Sequence, residues 1–162
     1  MPDSKKNQTD YLNEKIGAHV KTSLVDFPGT VCAAVFLKHC NLRCPYCYNA
    51  QLVTETQDDT GLFTLDEIKS HLEKRKNVLD GLAISGGEAL LNPHTKELIL
   101  FAKKVNYKVK LDTNGTLPEL LQQITENPQT RPDFIAMDIK TSPQKYRGLL
   151  NSSNISDKTD YE

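Results

Sequence analysis

The chain has 162 residues and a formal net charge of −1, with 20 Lys and Arg set against 21 Asp and Glu. This length fits one domain with a real core, and near-neutrality gives no electrostatic reason to expect nucleic acid or an anionic membrane as a partner. The polar start, Met1 to Asp10, has no apolar stretch for export, and no apolar run approaches the ~20 residues that span a bilayer, so a cytoplasmic protein without a membrane partner is expected.

In chain order, residues 1–16 read as a polar N-terminal segment, 17–150 as the core and 151–162 as a polar tail. The first ten and last twelve residues are expected to be weakly ordered. Val31–Leu37 is apolar throughout and reads as a buried strand. It leads into the most constraining segment of the chain, Cys40-Asn41-Leu42-Arg43-Cys44-Pro45-Tyr46-Cys47. Inside a cell, cysteines serve as metal ligands or catalysts more often than as disulfides. Three thiols this close cannot all be buried by a strand or a helix, so they belong to a loop whose sulfurs converge. Three thiolates suit three corners of a cubane iron–sulfur cluster and leave its fourth iron open. A structural zinc would need a fourth protein ligand. Cys32 lies about 20 Å from the end of its strand at ~3.3 Å per residue and reads as an ordinary buried thiol. His39 is nearer, and a cysteine–histidine zinc site is the alternative.

Thr64-Leu65-Asp66-Glu67 has the form of a capping box and opens a helix with Leu65, Ile68, Leu72 and Leu79 on one face. Leu82–Ser85 reads as the second strand. Gly86-Gly87-Glu88 follows it, by itself a plain turn, in this context a loop whose glycines let backbone approach a ligand and whose carboxylate suits an ammonium group. Asn92-Pro93 reads as a helix start. In the third strand, Tyr107–Asp112, the residues Tyr107, Val109 and Leu111 share one face and Asp112 takes the other. Asp112-Thr113-Asn114-Gly115 is then either a turn or a polar wall. Thr116-Leu117-Pro118-Glu119 starts another helix. In the fourth strand, Phe134–Lys140, the set Ile135, Met137 and Ile139 opposes Ala136, Asp138 and Lys140. The branched face is expected beneath helices and the polar face along a cleft, unless Asp138 and Lys140 simply pair with each other. Ser142-Pro143 is a further helix start. His19, His71 and His94 read as surface residues. Strands alternating with helices imply an α/β fold with a parallel sheet, in which ligands sit at the carboxyl ends of the strands.

The Cys40/Cys44/Cys47 triad, Gly86-Gly87-Glu88 and the motifs at the strand ends, in this order, resemble the radical S-adenosylmethionine enzymes. Ser23-Leu24-Val25-Asp26-Phe27-Pro28-Gly29, Cys44-Pro45-Tyr46-Cys47-Tyr48-Asn49, Asp112-Thr113-Asn114-Gly115 and Ala136-Met137-Asp138-Ile139-Lys140 resemble in particular the activating enzymes of glycyl radical enzymes. Among these the chain is most similar to the type that activates anaerobic ribonucleotide reductase. Pyruvate formate-lyase activating enzymes usually have Asp-Gly-Pro-Gly where this chain has Asp26-Phe27-Pro28-Gly29. Ala89 stands where a proline is more usual.

The resemblance implies a partial (β/α)6 TIM-type barrel, of which this chain supplies about four units and so reads as truncated. Phe134–Lys140 is then expected to be an unpaired edge. It also implies a [4Fe-4S] cluster held by Cys40, Cys44 and Cys47, and S-adenosylmethionine as cosubstrate. Gly86, Gly87 and Glu88 would face the methionine ammonium. Asp112, Asn114 and Lys140 are further candidates for ligand contacts, while Tyr46 would lie against the adenine or support the loop. The implied activity is reductive cleavage of S-adenosylmethionine and removal of a hydrogen from a glycine in a partner, an anaerobic ribonucleotide reductase. The implied electron source is a reductant such as flavodoxin or ferredoxin. The alternatives are another radical S-adenosylmethionine enzyme, of the pyruvate formate-lyase activase type or acting on a small molecule, and a non-catalytic zinc-binding interaction module.

Overall fold

The computed structural model describes residues 13–54 and 59–150. The expectations for the first ten and last twelve residues lie outside these. The strands are β1 (Lys15–Ser23), β2 (Cys32–Leu37), β3 (Leu62–Thr64), β4 (Gly81–Gly86), β5 (Lys108–Thr113) and β6 (Phe134–Met137). The helices are α1 (Ala50–Val53), α2 (Leu65–Lys74), α3 (Thr95–Lys104) and α4 (Pro118–Glu126), with 3-10 turns at Ala89–Leu91 and Pro143–Leu149. All six strands form one sheet in the order β3-β1-β2-β4-β5-β6. Four neighbouring strands, β2, β4, β5 and β6, run parallel as expected. β1, which starts two residues before the expected core, and β3 add an antiparallel edge that the sequence reading did not foresee.

The parallel strands divide the core by parity, because successive side chains point to opposite faces. Ala33, Val35 and Leu37 of β2, Leu82 and Ile84 of β4, and Val109 and Leu111 of β5 are fully buried. They pack with Ile68, Leu72, Leu98, Ile99 and Ala102 from α2 and α3. The opposite face carries Cys32, Ala34 and Ala83 with Phe27, a smaller cluster built on short side chains. Small residues on that face leave space above the sheet, and Cys32 is buried there as an ordinary thiol.

Several local expectations need correction. The Thr64 capping box forms, with the hydroxyl accepting from Glu67 N at 3.2 Å and the Glu67 carboxylate accepting from Thr64 N at 2.7 Å. Asn92 instead closes a 3-10 turn and accepts from His94 N, so α3 begins at Thr95 and not at Pro93. Ser142-Pro143 opens 3-10 turns and no α-helix. β6 ends at Met137 and not at Lys140, and its apolar side is uncovered: Ile135 and Met137 are 38 and 58 % exposed, and Ile139 just beyond the strand is 81 % exposed, because no helix among the described residues returns over this strand. β6 is the sheet's terminal strand, as the edge expectation required. His19 is buried and not a surface residue, since its position on β1 turns it toward Phe63 and His71, with ring centroids 5.5 and 4.8 Å away. His94 is likewise mostly covered, with its Nε2 buried and unpartnered. Among the described residues no helix is long and apolar enough to cross a membrane.

Candidate active site

β2, β4, β5 and β6 all deliver their carboxyl ends to one side of the sheet, and four loops meet there. The first is the cysteine loop. It leaves β2 through His39, whose φ of 71° is unusual for a non-glycine residue and turns the chain sharply. His39 N donates to Leu52 O of α1 at 2.9 Å, and Arg43 N donates to Leu149 O at 2.6 Å, beside a bridge between Leu42 and Leu150. The loop is therefore held by backbone bonds at its start and again at Arg43, between the first two cysteines. All three of its cysteines are free thiols and half-buried.

The β4 loop packs directly against it. Gly86 has a φ of +126°, and a Cβ on it would meet Leu37 N at 2.1 Å; on Gly87 a Cβ would meet His39 O at 1.9 Å. Gly87 N donates to Leu37 O at 2.9 Å and Glu88 N to His39 O at 2.8 Å. The pair of glycines is thus required by the approach of backbone to backbone, where the sequence reading offered a plain turn or the approach of a ligand.

Cys40, Cys44, Cys47, Tyr46, Gly86, Gly87, Asn114, Asp138 and Lys140 line a common cavity of about 250 Å³. A larger cavity, about 650 Å³, lies at the amino ends of the strands near Thr30, Asp80 and Lys108 and carries no thiol. The chemistry therefore selects the smaller one. Lys140 Nζ pairs with Asp138 Oδ2 at 2.7 Å. Burial works to lower the Lys140 pKa, but its bond and charge interaction with Asp138 outweigh that and the net shift is upward. The Tyr46 hydroxyl donates to Lys140 O and ties the cysteine loop to the segment that follows β6.

Two expected site residues stand back from the cavity wall. Glu88 is fully buried, and its carboxylate accepts from Leu90 N at 3.1 Å, Thr113 Oγ1 at 2.9 Å and Asn114 N at 2.7 Å. Burial raises its pKa, and those three donors only partly offset the effect. Asp112 is half-buried and forms an ion pair with Lys110 along the same strand face. Asn114 does reach the cavity, with its side chain already engaged. Its Nδ2 donates to Asn41 Oδ1 at 2.9 Å and lies 3.8 Å from Cys40 Sγ. Asn41 and Thr116, which complete this cluster, were missed; their signal was position alone, one beside Cys40 and the other beside Gly115.

Three free thiols on one loop, open to a shared cavity, have the donor chemistry of a cluster with three protein-held corners, while among the described residues no three His, Cys, Asp or Glu side chains are gathered closely enough to hold a single metal ion. The two candidates for a fourth ligand do not join them: Cys32 is buried on the sheet face, and His39 is exposed and does not line the cavity. Burial pushes the Cys40 thiol pKa up, against the N–H of Leu42, which points at its sulfur from 3.4 Å.

The family model for the radical SAM superfamily matches residues 35–159, and the chain belongs to that superfamily. Its members use a [4Fe-4S] cluster and S-adenosylmethionine. Over 132 residues the chain is 34% identical to a protein of Methanocaldococcus jannaschii provisionally named a glycyl-radical enzyme activating enzyme, covering 81% of this chain and 52% of that one. It is 30% identical over 122 residues to the pyruvate formate-lyase-activating enzyme of Clostridium pasteurianum, covering 72% and 48%. It is 27% identical over 132 residues to a 7-carboxy-7-deazaguanine synthase of Methanopyrus kandleri, covering 70% and 51%. The chain therefore spans about half the length of the curated relatives it matches. QueE from Escherichia coli shares the fold with a TM-score of 0.50 at 15% identity, over 63% of this chain and 53% of that one. The sheet and its helices are accordingly of the partial TIM-type barrel class.

Proposed function

We propose that the chain is an activase that forms a glycyl radical on a partner enzyme, with an anaerobic ribonucleotide reductase as the partner and a flavodoxin- or ferredoxin-type reductant. The observation that carries this reading is the common cavity of Cys40, Cys44 and Cys47, with Gly86, Gly87 and Lys140 on its walls. Two relatives whose names describe activating enzymes support it. When bound, the cluster and S-adenosylmethionine supply one-electron cleavage of the bond between the sulfonium and the ribose carbon; the protein contributes position and exclusion of water.

We assign the three thiolates to the cluster. The Gly86–Gly87 backbone is assigned to the methionine ammonium and the Lys140 ammonium, partly neutralised by Asp138, to the methionine carboxylate. Tyr46 supports the loop through its bond to Lys140 O. Glu88 acts from behind the wall by fixing Asn114 N. A small-molecule radical enzyme is the second reading, prompted by the likeness to 7-carboxy-7-deazaguanine synthases.

Anaerobic reconstitution with iron and sulfide should load about four irons per chain. Replacing Cys40, Cys44 or Cys47 by Ala should abolish loading, while Cys32→Ala should retain it. The reduced protein should then convert S-adenosylmethionine to 5′-deoxyadenosine, and an added anaerobic reductase should acquire a glycine-centred radical by electron paramagnetic resonance. Cleavage without any radical on the reductase would remove the partner assignment. A loaded protein that never cleaves S-adenosylmethionine would remove the activity.

A further inference from the structure

The three ligating thiols are not equivalent in their surroundings. Cys40 Sγ alone has N–H donors facing it in the described residues: Leu42 N at 3.4 Å and Asn114 Nδ2 at 3.8 Å. The second donor is a side chain, and a side-chain amide can present either its oxygen or its nitrogen. What decides this is a ring of buried polar groups. Asn114 Nδ2 donates to Asn41 Oδ1 at 2.9 Å, Asn41 Nδ2 donates to Thr116 Oγ1 at 2.7 Å, and Thr116 Oγ1 donates to Asn114 Oδ1 at 2.6 Å. Thr116 N, which can only donate, also points at Asn114 Oδ1 from 3.0 Å. Turning the Asn114 amide over would set two oxygens against each other at Asn41 and two donors against each other at Thr116. All three residues are at least nine-tenths buried, so water cannot repair the mismatch. The ring therefore admits one orientation, with nitrogen toward sulfur.

We infer that Asn41 and Thr116 are positioning residues that lock the Asn114 amide as an N–H donor to Cys40, making that sulfur the N–H-bonded corner of the metal centre. The inference rests on the assignment of Cys40, Cys44 and Cys47 to the cluster. N–H donors to a ligating sulfur favour the reduced, more negative cluster, and hydrogen bonding to sulfur is one of the levers that sets cluster potential. None of the three residues carries a charge, so their effect is directional and independent of pH near neutrality.

The test uses the full chain, reconstituted anaerobically, with iron content and midpoint potential both measured. Thr116→Val removes the hydroxyl at constant size and keeps the backbone N–H. It should retain the wild-type iron content and shift the midpoint potential negative. Asn114→Leu should shift it further in the same direction, and Thr116→Ser should restore the wild-type value. An unchanged potential in Asn114→Leu would overturn the N–H contact to Cys40, and an unchanged potential in Thr116→Val, at full iron content, would overturn the positioning role of Thr116.

A second readout needs no cluster. In the metal-free, 15N-labelled protein the side-chain amide protons of Asn41 and Asn114 should be protected from exchange, and Thr116→Val should release both. Rapid exchange of these protons in the wild type would overturn the ring. A wild-type chain that shows the protection but takes up no cluster would leave the ring intact and remove the activase reading instead.

Discussion

Replacing Gly87 by Ala tests whether the glycine pair serves the chain's own packing. The added methyl would sit 1.9 Å from His39 O and 2.6 Å from His39 C, and real Cβ atoms do not come within 3.0 Å. The β4 loop must therefore retreat by more than 1 Å from the base of the cysteine loop. No rotamer change relieves the contact, because the atoms met are backbone. Retreat breaks the bonds from Gly87 N to Leu37 O and from Glu88 N to His39 O. Each is worth about 1 kcal/mol net, and a group left buried without a partner costs about 1–3 kcal/mol more. The three hydrogen bonds to the Glu88 carboxylate resist the same movement. The sum is about 3–5 kcal/mol, which for a chain of this size lowers the melting temperature by about 10 °C. Gly148→Ala is the control, since nothing lies within 4 Å of a Cβ there, and it should remain within about 0.5 kcal/mol of wild type. Thermal unfolding of the reduced, metal-free proteins under argon measures both. A Gly87→Ala protein melting within two degrees or so of wild type would refute the argument, because the loops would then separate at almost no cost.

Three further outcomes are expected. Burial, then the charges of His71 and Lys21, lower the His19 pKa from the ordinary 6.5 to about 4. As pH falls through that window the unfolded chain gains a proton that the folded one refuses. Stability should thus decline by about 2–3 kcal/mol between pH 7 and pH 4. His19→Leu should abolish this component, and equal pH slopes in urea titrations of wild type and variant would refute it. Glu88→Gln puts an amide N–H₂ opposite one of three donors, so it should destabilise by about 2–3 kcal/mol and exceed the loss in Thr113→Val, read by the same titrations. Thr64→Ala removes the α2 cap and should cost about 1 kcal/mol without changing iron content after reconstitution.

The parallel half of the sheet was legible because its signals are local. Val31–Leu37 and Tyr107–Asp112 announce buried strands by composition and parity, and the cysteine spacing needs no partner to be read. β1 was not legible: Lys15–Ser23 mixes polar and apolar residues without clean alternation, and its pairing with β2 across Gly17 and Leu37 holds it in place. β3, three residues long, exists only through that same edge. Parity correctly placed Ile135, Met137 and Ile139 on one face, but a strand's own sequence cannot say whether a helix will cover it. Residue type did not show the pairings at the site. Glu88, Asp112 and Asn114 lie at strand ends suited to a ligand, yet each is engaged by the protein, through Thr113, Lys110 and Asn41 respectively. Such pairings depend on distances that only the folded chain sets.

The tie between Arg43 N and Leu149 O, with Leu42 bridged to Leu150, bears on biosynthesis. A nascent polypeptide displays its three sulfurs long before the ribosome has made the segment that braces them. During that interval the thiols have neither β6 nor the Pro143–Leu149 turns against them. Under the proposed function, proteins shortened before Leu149 lose this brace and should give a more easily bleached chromophore on reconstitution.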